Sequence, residues 1–138
     1  MVILAATISE ISFCADFAML TSALVTIASV NFDSIVDFYT QFLGSAPQSH
    51  IPSVYAEFSL AGLRLGIFAP KFSDQSEFGQ PSQSGMSLCL EVDSLEHSID
   101  FLARLGYPPP GEIITASHGH EIYAYDPDGN RLILHQAE

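Results

Sequence analysis

Basic side chains are scarce in this sequence: four Lys and Arg stand against 16 Asp and Glu, a formal net charge of −12. Sequence-independent nucleic-acid affinity comes from Lys and Arg displacing counterions from phosphate. The balance therefore argues against DNA, RNA or an anionic membrane as partner. Cysteine is nearly missing too, Cys14 and Cys89 being the two present, which is no disulfide framework. Cys89, inside an apolar run, reads as a small buried hydrophobe. The first 22 residues, MVILAATISEISFCADFAMLTS, have no basic residue and include Glu10 and Asp16. Neither a secretory leader nor a membrane span looks like that. They are read as an N-terminal extension, either an amphipathic piece docked on the domain or sequence upstream of a start at Met19, and a cytoplasmic location is expected. A nucleophile elbow, a phosphate loop, Cys-x-x-Cys and a dinucleotide fingerprint are absent as well.

What is present is a chain of 138 residues, 48% hydrophobic, enough for one domain over 23–138 whose core needs no disulfide or metal to fold. LVTIASV (24–30) reads as a strand rich in β-branched residues. Asn31 then caps a helix whose apolar stripe is Ile35, Phe38, Tyr39, Phe42 and Leu43, and Gly44 stops it. VYAEFSL (54–60) and LRLGIF (63–68) form a hairpin turned by Ala61 and Gly62, with one more short strand expected near His50. Residues 70–85, rich in Ser, Gln, Gly and Pro, are a connector. MSLCLEV (86–92) is the next strand. Asp93 and Glu96 make a capping box for a helix with Leu95, Ile99, Leu102 and Ala103 on its apolar face, ended by Gly106. Strands follow at 113–117, 120–125 and 131–136, the last two joined by the turn Asp126 to Asn130, which is read as structural.

The halves repeat. A shift of 62 superposes Val30 on Val92, Asn31 on Asp93, Leu43 on Leu105 and Gly44 on Gly106, and a shift of 67 superposes Gly62 to Leu65 on Gly129 to Leu132. The expected fold class is α+β: two βαβββ repeats, at about 23–69 and 86–136, forming a curved mixed sheet around a cleft with the helices on the outer face. Such a cleft suits a small molecule.

VNFDSIVDFYTQFLG, EVDSLEHSIDFLARLG and YDPDGNRLILHQ together resemble the vicinal oxygen chelate superfamily, which includes glyoxalase I, extradiol dioxygenases, and fosfomycin- and bleomycin-resistance proteins. The resemblance spans residues 23–136. It implies four inward positions for metal ligands, matched here by Leu24, Gly66, Met86 and Ile133. None of these offers the imidazole, carboxylate or thiolate that zinc, manganese or iron requires. Glyoxalase I and dioxygenase chemistry is therefore disfavoured, no cofactor is expected, and the chain is most similar to the metal-free, bleomycin-resistance-like branch. The resemblance also implies a homodimer.

Alternation places Leu24, Thr26, Ala28, Arg64, Gly66, Phe68, Met86, Leu88, Leu90, Arg131, Ile133 and His135 on the cleft side. Val25, Ile27, Leu63, Leu65, Ile67, Leu132 and Leu134 face the helices. The candidate ligand-binding residues are Tyr55, Glu57, Arg64, Phe68, Met86, Tyr123, Tyr125 and His135. The tyrosines would sandwich a flat ligand and Glu57 would meet a cation; Arg64 would hold a carboxylate or phosphate. Each has an ordinary alternative: a packed sheet edge, a solvated carboxylate, a surface ion pair. His135 and Glu57 are weak catalytic candidates. His118 and His120, one residue apart, are a weak metal pair, with Glu57 or Glu121 as third ligand. The expectation is a metal-free small-molecule-binding protein whose ligand is cationic or aromatic. The alternatives are a lyase or isomerase using a noncanonical metal or a His/Glu acid-base pair, and a protein-interaction module using the N-terminal stretch.

Overall fold

The computed structural model describes residues 19–138; residues 1–18 of the N-terminal stretch, with Glu10, Cys14 and Asp16, lie outside the described residues. The order is β1 (Val25–Ala28), α1 (Phe32–Leu43), β2 (Ser49–Ile51), β3 (Tyr55–Leu60), β4 (Leu63–Phe68), β5 (Leu88–Glu91), α2 (Leu95–Leu105), β6 (Ile114–Ala116), β7 (Gly119–Tyr125) and β8 (Arg131–Ala137). The strand near His50 is thus β2. The connector is not featureless: it winds into two 3-10 segments, Phe72–Phe78 and Pro81–Gln83.

The strands form two four-stranded mixed sheets of identical topology, β1-β4-β3-β2 and β5-β8-β7-β6. In each, the first strand runs parallel to the fourth and the other pairs are antiparallel. A parallel first strand requires a crossover, which is why each repeat places its helix directly after that strand. The helices cover one face of each sheet. Ala56, Phe58, Leu65 and Ile67 from the first sheet and Ile122, Ala124, Leu132 and Leu134 from the second join Ile35, Phe38, Tyr39, Leu95 and Leu102 in one core. Strand alternation then turns the intervening residues to the opposite, helix-free face of each sheet, the expected cleft side and hereafter its outer face.

The two repeats are tied by polar bonds as well as by the core. Tyr39 Oη of α1 donates to Asp126 Oδ2 in the β7–β8 turn at 2.8 Å. Asp126, 3% exposed, also accepts from the backbone N–H groups of Asp128 and Asn130 and from Asn130 Nδ2. The turn read as structural is therefore held from inside by one carboxylate. Burial pushes that carboxyl above its usual range, while the bonds from Tyr39 and Asn130 pull it back. Asn31 occupies the N-cap position of α1 without a side-chain cap; its Nδ2 donates instead to Asp128 Oδ1 at 3.2 Å.

The second helix corrects the expected repeat register. Its N-cap is Ser94, whose Oγ accepts from His97 N at 3.2 Å, not Asp93. Asn31 therefore corresponds to Ser94, a shift of 63, and α1 with 12 residues against 11 in α2 absorbs the difference before the closing glycines. The pairing confirms it: Thr26 lies opposite Gly66, whereas Cys89 lies opposite Ile133.

A one-residue slip exchanges the faces of a strand. Leu88 and Leu90 pair with Leu132 and Leu134 and lie on the helix side, Leu88 in the core and Leu90 packed against it. They do not face the cleft. Met86 precedes β5 with 72% of its surface exposed, and the position equivalent to Leu24 is Ser87. Cys89 and Glu91 take the outward places expected of Leu88 and Leu90, and Cys89 is exposed rather than buried.

Candidate ligand-binding faces

On the outer face of sheet one, register sets Tyr55 opposite Phe68, Glu57 opposite Gly66 and Ser59 opposite Arg64. Gly66 permits close packing here: a Cβ on it would stand 2.7 Å from Tyr55 Oη and 3.2 Å from Leu24 Cδ1. Leu24 thus lies over Gly66, as the repeat implied. Tyr55 Oη donates to Glu57 Oε1 at 2.8 Å and Arg64 Nη1 to Glu57 Oε2 at 3.4 Å. Burial, then the hydrogen bond to Glu57, push the Tyr55 phenol up.

Arg64 also donates through Nη2 to Ser22 Oγ and the Ala23 carbonyl. Its donors bind parts of this chain, so the expected use of Arg64 as a free anion clamp gives way to an internal one, and Glu57 carries a cation partner already. Beside this triad a groove of about 680 Å³ runs between the sheet and the connector, lined by Tyr55, Phe68, Phe78, Lys71, Asp74 and Glu77 among others. Phe78 meets Phe68 edge-on at 5.5 Å. Phe78 carries no periodic signal in the Ser- and Gln-rich segment around it; that segment's two aromatics, Phe72 and Phe78, are the signal available.

The outer face of sheet two carries Glu121, Tyr123 and Tyr125 on β7 opposite His135, Ile133 and Arg131 on β8, with Cys89 and Glu91 beside them on β5. Tyr123 is 42% exposed. Arg131 donates through Nε to Ser87 Oγ at 2.6 Å and through Nη2 to the carbonyls of Ser84 and Met86, which pins the end of the connector. His135, 8% exposed, contacts Glu91 Oε1 through Nδ1, and among the described residues its buried Nε2 has no partner. Partial desolvation by its neighbours, then the Glu91 and Glu121 carboxylates, push the thiol of the exposed Cys89 up, so it is a poor nucleophile.

His118 and His120 do not share a face. Gly119, at φ +142°, interrupts the alternation, and its missing Cβ matters: that atom would lie 2.2 Å from the Gln136 carbonyl oxygen. His118 therefore turns onto the His135 ring at 4.7 Å. His120 lies opposite Gln136 and beside Thr115. The His-x-His pair is not a chelate, and among the described residues no three His, Cys, Asp or Glu side chains are grouped to hold a metal ion.

With the register corrected, the superfamily's four ligand positions hold Leu24, Gly66, Ser87 and Ile133. One alcohol, already bonded to Arg131, is the whole donor set, and it does not fit a divalent metal. No hydrogen bond or ring pair among the described residues joins the Tyr55–Glu57–Arg64 group to the Tyr123–His135 group.

The Glyoxalase/Bleomycin resistance protein/Dioxygenase superfamily model matches residues 22–134. The chain belongs to that superfamily. Among solved structures, it is 24% identical to the bleomycin resistance determinant encoded on the transposon Tn5, covering 86% of this chain and 99% of that one at a TM-score of 0.61. A bleomycin-binding protein complexed with bleomycin gives 23% identity, 86% and 100% coverage and a TM-score of 0.61. A fosfomycin resistance protein from Listeria monocytogenes gives 16%, 87%, 93% and 0.67. These likenesses establish the fold. No curated protein matches the chain. Among the described residues no helix is long and apolar enough to cross a membrane.

Proposed function

We propose that this superfamily member is a metal-free small-molecule-binding protein that acts as a cytoplasmic homodimer, with an aromatic or cationic ligand held between the outer faces of its sheets. The observation that carries the reading is a tyrosine and a carboxylate two residues apart on both outer faces, Tyr55 hydrogen-bonded to Glu57 on β3 and Tyr123 following Glu121 on β7, beside four ligand positions that lack metal donors. Aromatic faces attract flat and cationic groups, and nearby carboxylates favour positive charge. Exposed apolar side chains on these faces, Leu24 at 38%, Ile51 at 55% and Ile114 at 43%, support pairing with a second copy. A likeness to the bleomycin-binding protein makes bleomycin the first ligand to try.

The test has two arms. Chain purified without chelator is assayed for metal per chain, then titrated calorimetrically with bleomycin and a panel of aromatic cations. Retention of no metal with saturable, unchanged recovery of ligand supports the reading. Near-stoichiometric bound metal, or silence across the panel, overturns it. The Glu91–His135 contact favours a second reading, a lyase or isomerase using His135 as base; consumption of ligand during the same titration, lost in His135→Gln, would establish it.

A further inference from the structure

We propose that the outer face of sheet two recognises a planar cationic N–H donor, an amidinium or guanidinium, through His135 Nε2 and the Glu121 carboxylate. This rests on the small-molecule reading above and specifies the group that the ligand presents. His135 is 8% exposed, and its Nε2 is shut away from solvent with no hydrogen-bond partner among the described residues. Buried polar atoms almost always have one. The other ring nitrogen, Nδ1, contacts Glu91 Oε1. A carboxylate accepts, so in the neutral imidazole it is Nδ1 that carries the proton and Nε2 that presents a lone pair. On the side away from β5, the neighbour of β8, which carries His135, is β7.

That strand carries Glu121 directly opposite His135. Glu121 has no side-chain hydrogen bond or ion pair among the described residues. Two acceptors side by side match the two parallel N–H groups of an amidinium or guanidinium. The surroundings select the charge: Glu91 and Glu121 are carboxylates, and the Cys89 thiol is kept neutral by its packing and those carboxylates. The cation on this face, Arg131, is spent on Ser87 and the connector carbonyls. Tyr123, two residues along from Glu121 on the same face, offers its ring to a flat cation. His118, edge-on to His135 at 4.7 Å, is the side chain that swings aside when a guest reaches Nε2, a rotamer change that costs little time.

The experiment titrates the 15N-labelled full chain with benzamidine, an aromatic amidinium, and follows the His135 ring nitrogens by long-range proton–nitrogen correlation. Benzoate, of the same shape and opposite charge, is the control. The expected result is a saturable movement of His135 Nε2 with benzamidine and none with benzoate. Affinity falls at least tenfold in His135→Phe and in Glu121→Gln and is unchanged in Asp33→Asn, which removes a carboxylate from the exposed side of α1. Glu121→Gln preserves size at a partly exposed position and supplies a folded variant if His135→Phe is unstable. Benzamidine that moves Tyr55 and Phe68 but leaves His135 still overturns this site while the small-molecule reading stands. Benzoate binding in its place, or no saturable binding of either probe, also overturns the site; the general reading is judged separately by the ligand panel.

Discussion

At the scale of single residues, Tyr39 shows how one hydroxyl couples stability to pH. Burial, and after it the Asp126 carboxylate, hold its phenol well above the usual value. The folded chain therefore keeps a proton that the unfolded chain releases above about pH 10. Stability from this group is complete below that point and falls as pH climbs beyond it. Tyr39→Phe should cost about 1 kcal/mol at neutral pH through the lost hydrogen bond, yet its urea midpoint should fall less than that of the parent between neutral and alkaline pH. Gly119 sets a harder limit. A methyl group there meets backbone, and at positive φ, so Gly119→Ala should cost about 3 kcal/mol in urea denaturation. This residue carried no sequence signal beyond its identity, because the obstacle is the Gln136 carbonyl on a neighbouring strand.

At the scale of elements, the helices, the hairpins and the repeat were legible because period, caps and turn residues act locally. The face assignment of β5 was not. Asp93 and Ser94 are both good N-caps, and choosing the first shifted the repeat by one residue and exchanged Leu88 and Leu90 for Cys89 and Glu91. The first-sheet positions Leu24 and Gly66 do not depend on that cap, because Leu24 is offset from α1 and its Asn31 cap and Gly66 lies on β4. The cap can be checked directly: Ser94→Ala should lower stability by about 1 kcal/mol, whereas Asp93→Ala, which removes no cap bond, should leave the thermal midpoint almost unchanged. The site was legible in part. Tyr55, Glu57, Tyr123 and His135 sit on outward faces as period two required, but that Arg64 is occupied, that His118 turns onto His135 and that Phe78 closes a groove depend on contacts between distant segments.

At the scale of the whole molecule, a net charge of −12 opposes any association of two copies. Raising ionic strength from about 0.01 M to about 0.1 M shortens the screening length from about 30 Å to about 10 Å. The proposed dimer should therefore tighten with salt, read as a shift toward dimer in sedimentation velocity. A dimer that loosened with salt would point to an interface built on opposite charges. The bond between Tyr39 and Asp126 has a different consequence, one of symmetry rather than energy. In the second repeat, Leu102 stands where the first has Tyr39, and the two-residue Ala61–Gly62 turn stands where the second has Asp126 to Asn130. A protein assembled from two copies of the first half would bury its tyrosine hydroxyls against turns that hold no carboxylate. The halves are therefore not interchangeable: the first buries a hydroxyl whose acceptor the second supplies.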